Sequence, residues 1–252
     1  GLKIERFYYP FENNVPEKLF ILGCKEHFPE SEVIAYQHSV WFNNQLGMFL
    51  GHDEAEYHPI ADKIICSGPI YSRVLKDANF PERKIFLGPN LRFTSVHKPA
   101  SILNQDIIRP NILLPLTMVD NLAYDLIHKV KIISKDFPEL FIYIRTHPSI
   151  NKINLIKFIN EINLKNYEFA DEGKIQDWLV NTDIVMSTGT SISILETVVM
   201  NVPLIRVIPD NIFFLDPLAW SGYPIKPVNS VDEISICIKS ILEMSEQGKN
   251  KL

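Results

Sequence analysis

Apolar residues fall along this chain in short unbroken runs, each followed by a longer stretch in which they recur every three or four positions. The runs VIAY (33–36), KIIC (63–66), KIFLG (84–88), ILLPL (112–116) and FIYIR (141–145) read as strands of a sheet covered on both faces. Between them, VPEKLFILGCKEHF after Asn14, PIYSRVLKDANF, and the pattern from about Asp120 to Lys135 read as helices. After FIYIR the alternation continues with a helix in NLIKFINEI, a strand YEFA, a helix KIQDWLV, a strand DIVMS, a helix SISILETVVM and a strand PLIRV. Such alternation predicts parallel sheets joined by crossover helices. Three strands precede residue 105 and five follow it, so the second half makes a nearly complete doubly wound layer and the first a partial one. A last helix, VDEISICIKSILEM, closes the pattern, and EQGKNKL is expected to fray.

The stretch from Pro89 to Pro110 has several prolines and weak periodicity, which suits a connection between domains. The expected fold is therefore α/β, with two Rossmann-like parallel-sheet domains over 1–105 and 106–252, the first short or truncated. Composition agrees with real cores: of 252 residues, 46% are hydrophobic and 22% charged. No apolar run approaches the roughly 18 residues that span a bilayer, and GLKIERFYYP lacks the marks of a secretion signal, so a cytoplasmic location is expected. Cys24, Cys66 and Cys237 are odd in number and lack metal-ligand spacing, so they read as reduced thiols. A net charge of −5 spread along the chain argues against a nucleic-acid partner but leaves room for a small anion in a local basic pocket.

Candidate chemistry sits where strands end. In IYIRTHPSI (142–150), Pro148 keeps His147 extended at a strand's carboxyl end, the edge where open α/β sheets bind ligands. Arg145 and His147 either face a small anion there or form an ordinary strand exit. IVMSTGTSISILE (184–196) runs a strand into hydroxyls and then into a helix. Ser187, Thr188, Thr190 and Ser191 offer donors to a phosphate and Gly189 lets a backbone approach; the competing reading is a capping box of Ser193 with Glu196. Glu196 could also accept hydrogen bonds from two ribose hydroxyls. In the first half, VIAYQHSVW ends a strand on Gln37, His38 and Ser39, and YYPFENN sets Glu12 beside two asparagines and aromatic residues. Either His38 or Glu12 could take a proton from a reacting hydroxyl, or serve as a structural hydrogen-bonder or turn residue. Arg92 could reach a cleft or lie on the surface. HDEAEYH (52–58) matches no zinc spacing and reads as a solvated loop.

Taken together, RTHP at 145–148, STGTS at 187–191 with Glu196, and the YPFENN and AYQHS segments resemble the two-domain nucleotide-sugar glycosyltransferases of the GT-B fold. The resemblance is to the bacterial surface-carbohydrate group: sialyltransferases, Kdo transferases and polyol-phosphate transferases. It implies a cytidine-nucleotide (CMP-linked) donor sugar, a glycan or glycolipid acceptor of the capsule or lipopolysaccharide type, no metal cofactor, and at most peripheral contact with the inner face of the cell membrane. It also implies that His147 with Ser187, Thr188, Thr190 or Ser191 holds the donor phosphate and that Glu196 holds the ribose. One departure matters: DEG at 171–173 follows the His-Pro motif instead of preceding it. Catalysis is therefore not carried onto Asp171 or Glu172, and that loop is expected to border the nucleobase. A sugar-nucleotide 2-epimerase and a non-catalytic nucleotide- or glycan-binding module are the competing functions.

Overall fold

A computed structural model describes residues 3–91, 109–189, 191, 193–210, 214–223 and 225–249, the last five without side chains. The expected domain break near residue 105, as well as Arg92 and Thr190, lie outside the described residues. The chain divides into two compact units, Gly1–Ser95 with Ala219–Gly222, and Val96–Leu218 with Tyr223–Leu252.

The first unit holds a parallel sheet in the order β1-β2-β3-β4. Its strands are β1 (Arg6–Pro10), β2 (Glu32–Tyr36), β3 (Lys63–Cys66) and β4 (Ile85–Leu87), with helices α1 (Val15–His27) and α2 (Pro69–Asp77) between them. Three strands are expected from the sequence; the fourth is RFYYP. It lies at the sheet edge with mostly exposed side chains, so it lacks the apolar run that marks a doubly covered strand. Val33, Ala35, Ile64 and Cys66 form the buried face. Burial pushes the Cys66 thiol up to about 11, which keeps it protonated and inert. At the sheet's carboxyl end, Phe11 packs edge-on against Trp41 and Phe80 at 5.6 and 5.8 Å between ring centres. That aromatic knot anchors the loop that begins at Glu12. Ala219–Gly222 joins this unit through Trp220, whose indole N–H donates to the Trp41 carbonyl at 3.1 Å while its own carbonyl accepts from Arg73 at 2.9 Å.

The second unit is a five-stranded parallel sheet in the order β7-β6-β5-β8-β9. Its elements are β5 (Asn111–Pro115), α3 (Asp120–Ile133), β6 (Phe141–Arg145), α4 (Lys152–Glu161), β7 (Tyr167–Phe169), α5 (Ile175–Leu179), β8 (Ile184–Thr188), α6 (Ser193–Val199), β9 (Leu204–Val207) and α7 (Val231–Lys249). Alternate residues of each strand enter opposite cores, as the pleat requires. Ile112, Leu114, Ile142, Ile144, Ile184 and Met186 pack with Leu126, Val130, Leu155, Ile159, Ile234 and Ile238. Leu113, Val185 and Leu204 pack on the other face with Leu179, Ile194 and Val202. Both faces are thus covered, which is why these strands read as unbroken apolar runs. Asn201 ends α6 region with φ +57°, the left-handed stop expected before Pro203. The frayed end expected at EQGK is instead helical through Lys249.

No helix among the described residues is long and apolar enough to cross a membrane.

Candidate functional site

The second sheet changes direction at β5: β6 and β7 lie to one side, and β8 and β9 to the other. A crevice at the carboxyl ends of strands flanking such a point is where open α/β sheets bind ligands. The register puts Pro115 opposite Arg145, and Leu113 opposite Val185. The segments after β5, β6 and β8 therefore emerge on one edge, with β6 and β8 two strand spacings apart, roughly 9–10 Å. His147 and Ser191 both stand on that edge. The segment after β5 was not singled out by motif; it presents Met118 and Val119, both exposed, at the start of α3. Its only sequence signal is an apolar pair directly ahead of a helix that starts on an acid.

Arg145 does not project as a free cation. Its guanidinium donates to the carbonyls of Ala170 and Gly173 at 2.6 and 2.8 Å, and more weakly to that of Glu172 at 3.4 Å. The next strand's loop is thereby clamped from within. Trp178 adds its indole N–H to the Glu172 carbonyl at 2.7 Å. Asp171 Oδ1 accepts the Thr146 N–H and hydroxyl at 2.8 and 2.9 Å, and Oδ2 accepts from Lys152 at 2.5 Å. Burial alone would push the Asp171 carboxyl up; the hydrogen bonds from Lys152 and Thr146 together outweigh it and hold it below the usual carboxylate range. An ionised, triply bonded carboxylate of this kind is a structural clamp and not a proton acceptor. Residues 170–174 thus form a rigid loop beside His147.

His147 Nδ1 lies 2.7 Å from the Ser149 hydroxyl and accepts the Ser149 backbone N–H at 3.2 Å. Its Nε2 has no hydrogen-bond partner among the described residues.

The hydroxyl cluster after β8 differs from expectation. Ser187 and Thr188 are still within the strand, where they pair with Arg206 and Val207 of β9, and both are buried. Ser187 turns inward and donates to the Pro115 carbonyl at 3.4 Å. The Thr188 hydroxyl is buried with no partner among the described residues. Neither opens the following helix, because strand pairing extends further than the run of hydroxyls suggests. Ser191, partly exposed, remains at the edge. Gly189 has φ +25°, and a Cβ there would sit 2.5 Å from the Leu215 carbonyl oxygen. The backbone that approaches this glycine is therefore the protein's own. Glu196 is mostly buried and accepts from the Gln176 amide at 3.0 Å, which ties α6 to α5; Ser193, the cap residue of the expected capping box, is already within α6.

The segment that covers Gly189 is itself fastened by a buried ion pair. Arg206 on β9 donates to Asp216 and to the Ile225 carbonyl, with the Tyr223 ring 5.3 Å from its guanidinium carbon. Asp216 Oδ1 also accepts the Leu218 N–H at 3.0 Å.

In the first unit, the carboxyl edge brings Glu12 and His38 together, with Oε1 and Nε2 3.5 Å apart and both side chains nearly half exposed. Asn14 donates to the other Glu12 oxygen at 2.9 Å. The loop between is set by Glu17, a residue the sequence reading passed over. Its carboxylate gathers the N–H groups of Glu12, Asn13 and Asn14 at 3.0–3.2 Å. Asn13 takes φ +58° and touches His58, whose side chain is 6% exposed and so is no member of a solvated loop. Gln37 is also structural: buried, it bonds Ser67 and the Ser39 carbonyl. Among the described residues no group of three or more His, Cys, Asp or Glu side chains is placed to hold a metal ion.

No protein-family model matches the chain, and no characterised protein matches it in sequence. Solved structures do match it in shape. A putative UDP-N-acetylglucosamine 2-epimerase from Listeria monocytogenes superposes with a TM-score of 0.61 at 12% identity, over 96% of this chain and 66% of that one. Anabaena Alr3699/HepE, solved with UDP-glucose, gives 0.58 at 10% identity over 96% and 70%. Staphylococcus aureus TarM, a mutant solved with UDP, α-GlcNAc-glycerol and fondaparinux, gives 0.57 at 14% identity over 87% and 45%. The fold is GT-B-like. At these identities the likeness is one of architecture, and the chain spans less than half the length of TarM. In this chain the two parallel sheets have four and five strands, of which the sequence pattern contains three and five.

Proposed function

We propose that the protein is a glycosyltransferase of the GT-B type, which moves a sugar from a nucleotide donor to a hydroxyl of a bacterial surface glycan. The observation that carries this reading is the carboxyl edge of the second sheet. There His147 stands at the switch-point edge beside a loop that Arg145 and Asp171 hold rigid. A rigid backbone loop offers fixed carbonyl and N–H groups to a nucleobase, and the imidazole offers a donor to a phosphoryl oxygen. Preorganised donors of this sort stabilise the charge that develops as the sugar–phosphate bond breaks. Arg145 serves the donor through the loop it holds, Glu196 accepts from the ribose hydroxyls, and Ser191 completes the phosphate contacts. In the transfer, the acceptor oxygen forms a bond to the anomeric carbon, the nucleotide leaves with the bonding electrons, and the acceptor proton passes to a base. Glu12, paired with His38, is the base in this reading. No resident metal is invoked.

The motif resemblance points to a CMP-linked donor, of the sialic acid or Kdo kind. The neighbours HepE and TarM, by contrast, are solved with UDP-glucose and with UDP. We place a uridine diphosphate sugar first on that ground. A 2-epimerase is the second reading, favoured by the Listeria likeness and by a Neisseria meningitidis UDP-GlcNAc 2-epimerase that matches with a TM-score of 0.59. Product analysis separates them. Incubation with UDP-GlcNAc, UDP-glucose or CMP-sialic acid is expected to release nucleotide only when a glycan acceptor is present. An epimerised donor formed without acceptor transfers the assignment to the second reading.

A further inference from the structure

We infer that Ser149 is a positioning residue that fixes the tautomer of His147, so that the ring presents an Nε2–H donor to an anionic ligand. The inference rests on the donor-site reading above. Its basis is geometric. A backbone N–H can only donate, and the Ser149 N–H points at His147 Nδ1 over 3.2 Å. A proton on Nδ1 would face that N–H hydrogen directly. Nδ1 is therefore an acceptor, and the Ser149 hydroxyl, 2.7 Å away, is then a second donor to it. In a neutral imidazole one nitrogen carries the proton and the other accepts, so the proton resides on Nε2. That nitrogen has no partner among the described residues. A ring with the opposite tautomer would turn a lone pair toward the ligand and repel a phosphoryl oxygen.

Sequence order supplies the geometry. Pro148 excludes its predecessor from the helical region, and the turn closes when the Ile150 N–H donates to the His147 carbonyl at 2.9 Å. Ser149 is thereby folded back beneath the imidazole. It is exposed, so its substitution should leave the core intact.

The test uses the whole chain labelled with nitrogen-15. Long-range proton–nitrogen correlation spectra identify the His147 ring by its loss in His147→Ala. The wild-type ring is expected to show a protonated Nε2 and a bare Nδ1. Ser149→Ala keeps the backbone N–H and removes only the second donor, so Nε2 should stay protonated while the Nδ1 resonance shifts as its shorter hydrogen bond is lost, and Ser149→Thr should restore the original spectrum. In parallel titrations with UDP and with CMP, Ser149→Ala should weaken binding of the preferred nucleotide by roughly three- to tenfold, the loss of one hydrogen bond's net contribution. Made in the His147→Ala background, the same change should have no further effect, since residues that act through one another are not additive. A protonated Nδ1 in the wild type, or an equal penalty in both backgrounds, overturns the inference. If His147→Ala binds both nucleotides as the wild type does, the donor-site reading fails, whereas the tautomer is judged from the spectra alone.

Discussion

Asp216→Ala is expected to destabilise the protein by about 3–5 kcal/mol, the penalty for leaving a buried charge without its partner. Arg206 is 4% exposed, sits on β9 at the end of the sheet order, and has Asp216 as its counter-ion. Removing the carboxylate leaves the guanidinium with the Ile225 carbonyl and the face of Tyr223. Neither neutralises it, and water cannot readily reach it. The same substitution also removes the hydrogen bond that the Asp216 carboxylate accepts from the buried Leu218 N–H. Against a typical total of roughly 5–15 kcal/mol, this is enough to populate the unfolded state measurably. Urea unfolding followed by circular dichroism reads the effect as a lower midpoint at an unchanged slope. A loss under about 1 kcal/mol would mean that Arg206 is hydrated and that the clasp over Gly189 is not built as described.

Glu12→Gln is the second large effect, and it belongs to chemistry instead of stability. The amide keeps the size of the side chain and its acceptor for Asn14, but it cannot take a proton. Removal of a positioned general base costs turnover roughly 10²–10⁴-fold. Nucleotide binding is assigned to the other unit and should stay within about twofold, so the loss falls on kcat and not on donor affinity. Initial rates at saturating donor and acceptor provide the measurement. A loss of less than about tenfold would remove Glu12 from the reaction and leave it as a turn residue held by Asn14 and near His38.

The parts of this molecule that the sequence announces are those buried on both sides. ILLPL, FIYIR and DIVMS stand out because parallel strands between two helical layers have no polar face to show. RFYYP does not stand out, since an edge strand with exposed residues carries no such run. Short-range chemistry was legible in the same uneven way. Pro148 marks the strand exit that holds His147, and Glu12 and His38 do meet, because β1 and β2 are neighbours in register. The run STGTS misleads, because β8 keeps its pairing with β9 through Thr188 and so buries two of the hydroxyls. Gly189 looks like a place for a ligand's approach, yet Leu215, twenty-six positions later, occupies it. Arg145 looks like a free cation for the same reason: its partners are backbone carbonyls of residues 170, 172 and 173, and carbonyls leave no trace in a sequence. Glu17 organises the Glu12 loop through backbone N–H groups and was invisible on the same account.

The central claim is that the carboxyl edge of the second sheet holds a nucleotide with its phosphate at His147. Thermal shifts of the intact protein and of His147→Ala with UDP, CDP, CMP and GDP test it most directly. The account predicts that a pyrimidine nucleotide raises the wild-type midpoint more than GDP does, with UDP first, and that most of this rise disappears in the variant. Equal shifts for all four nucleotides, or a rise that survives the loss of the imidazole, would contradict it.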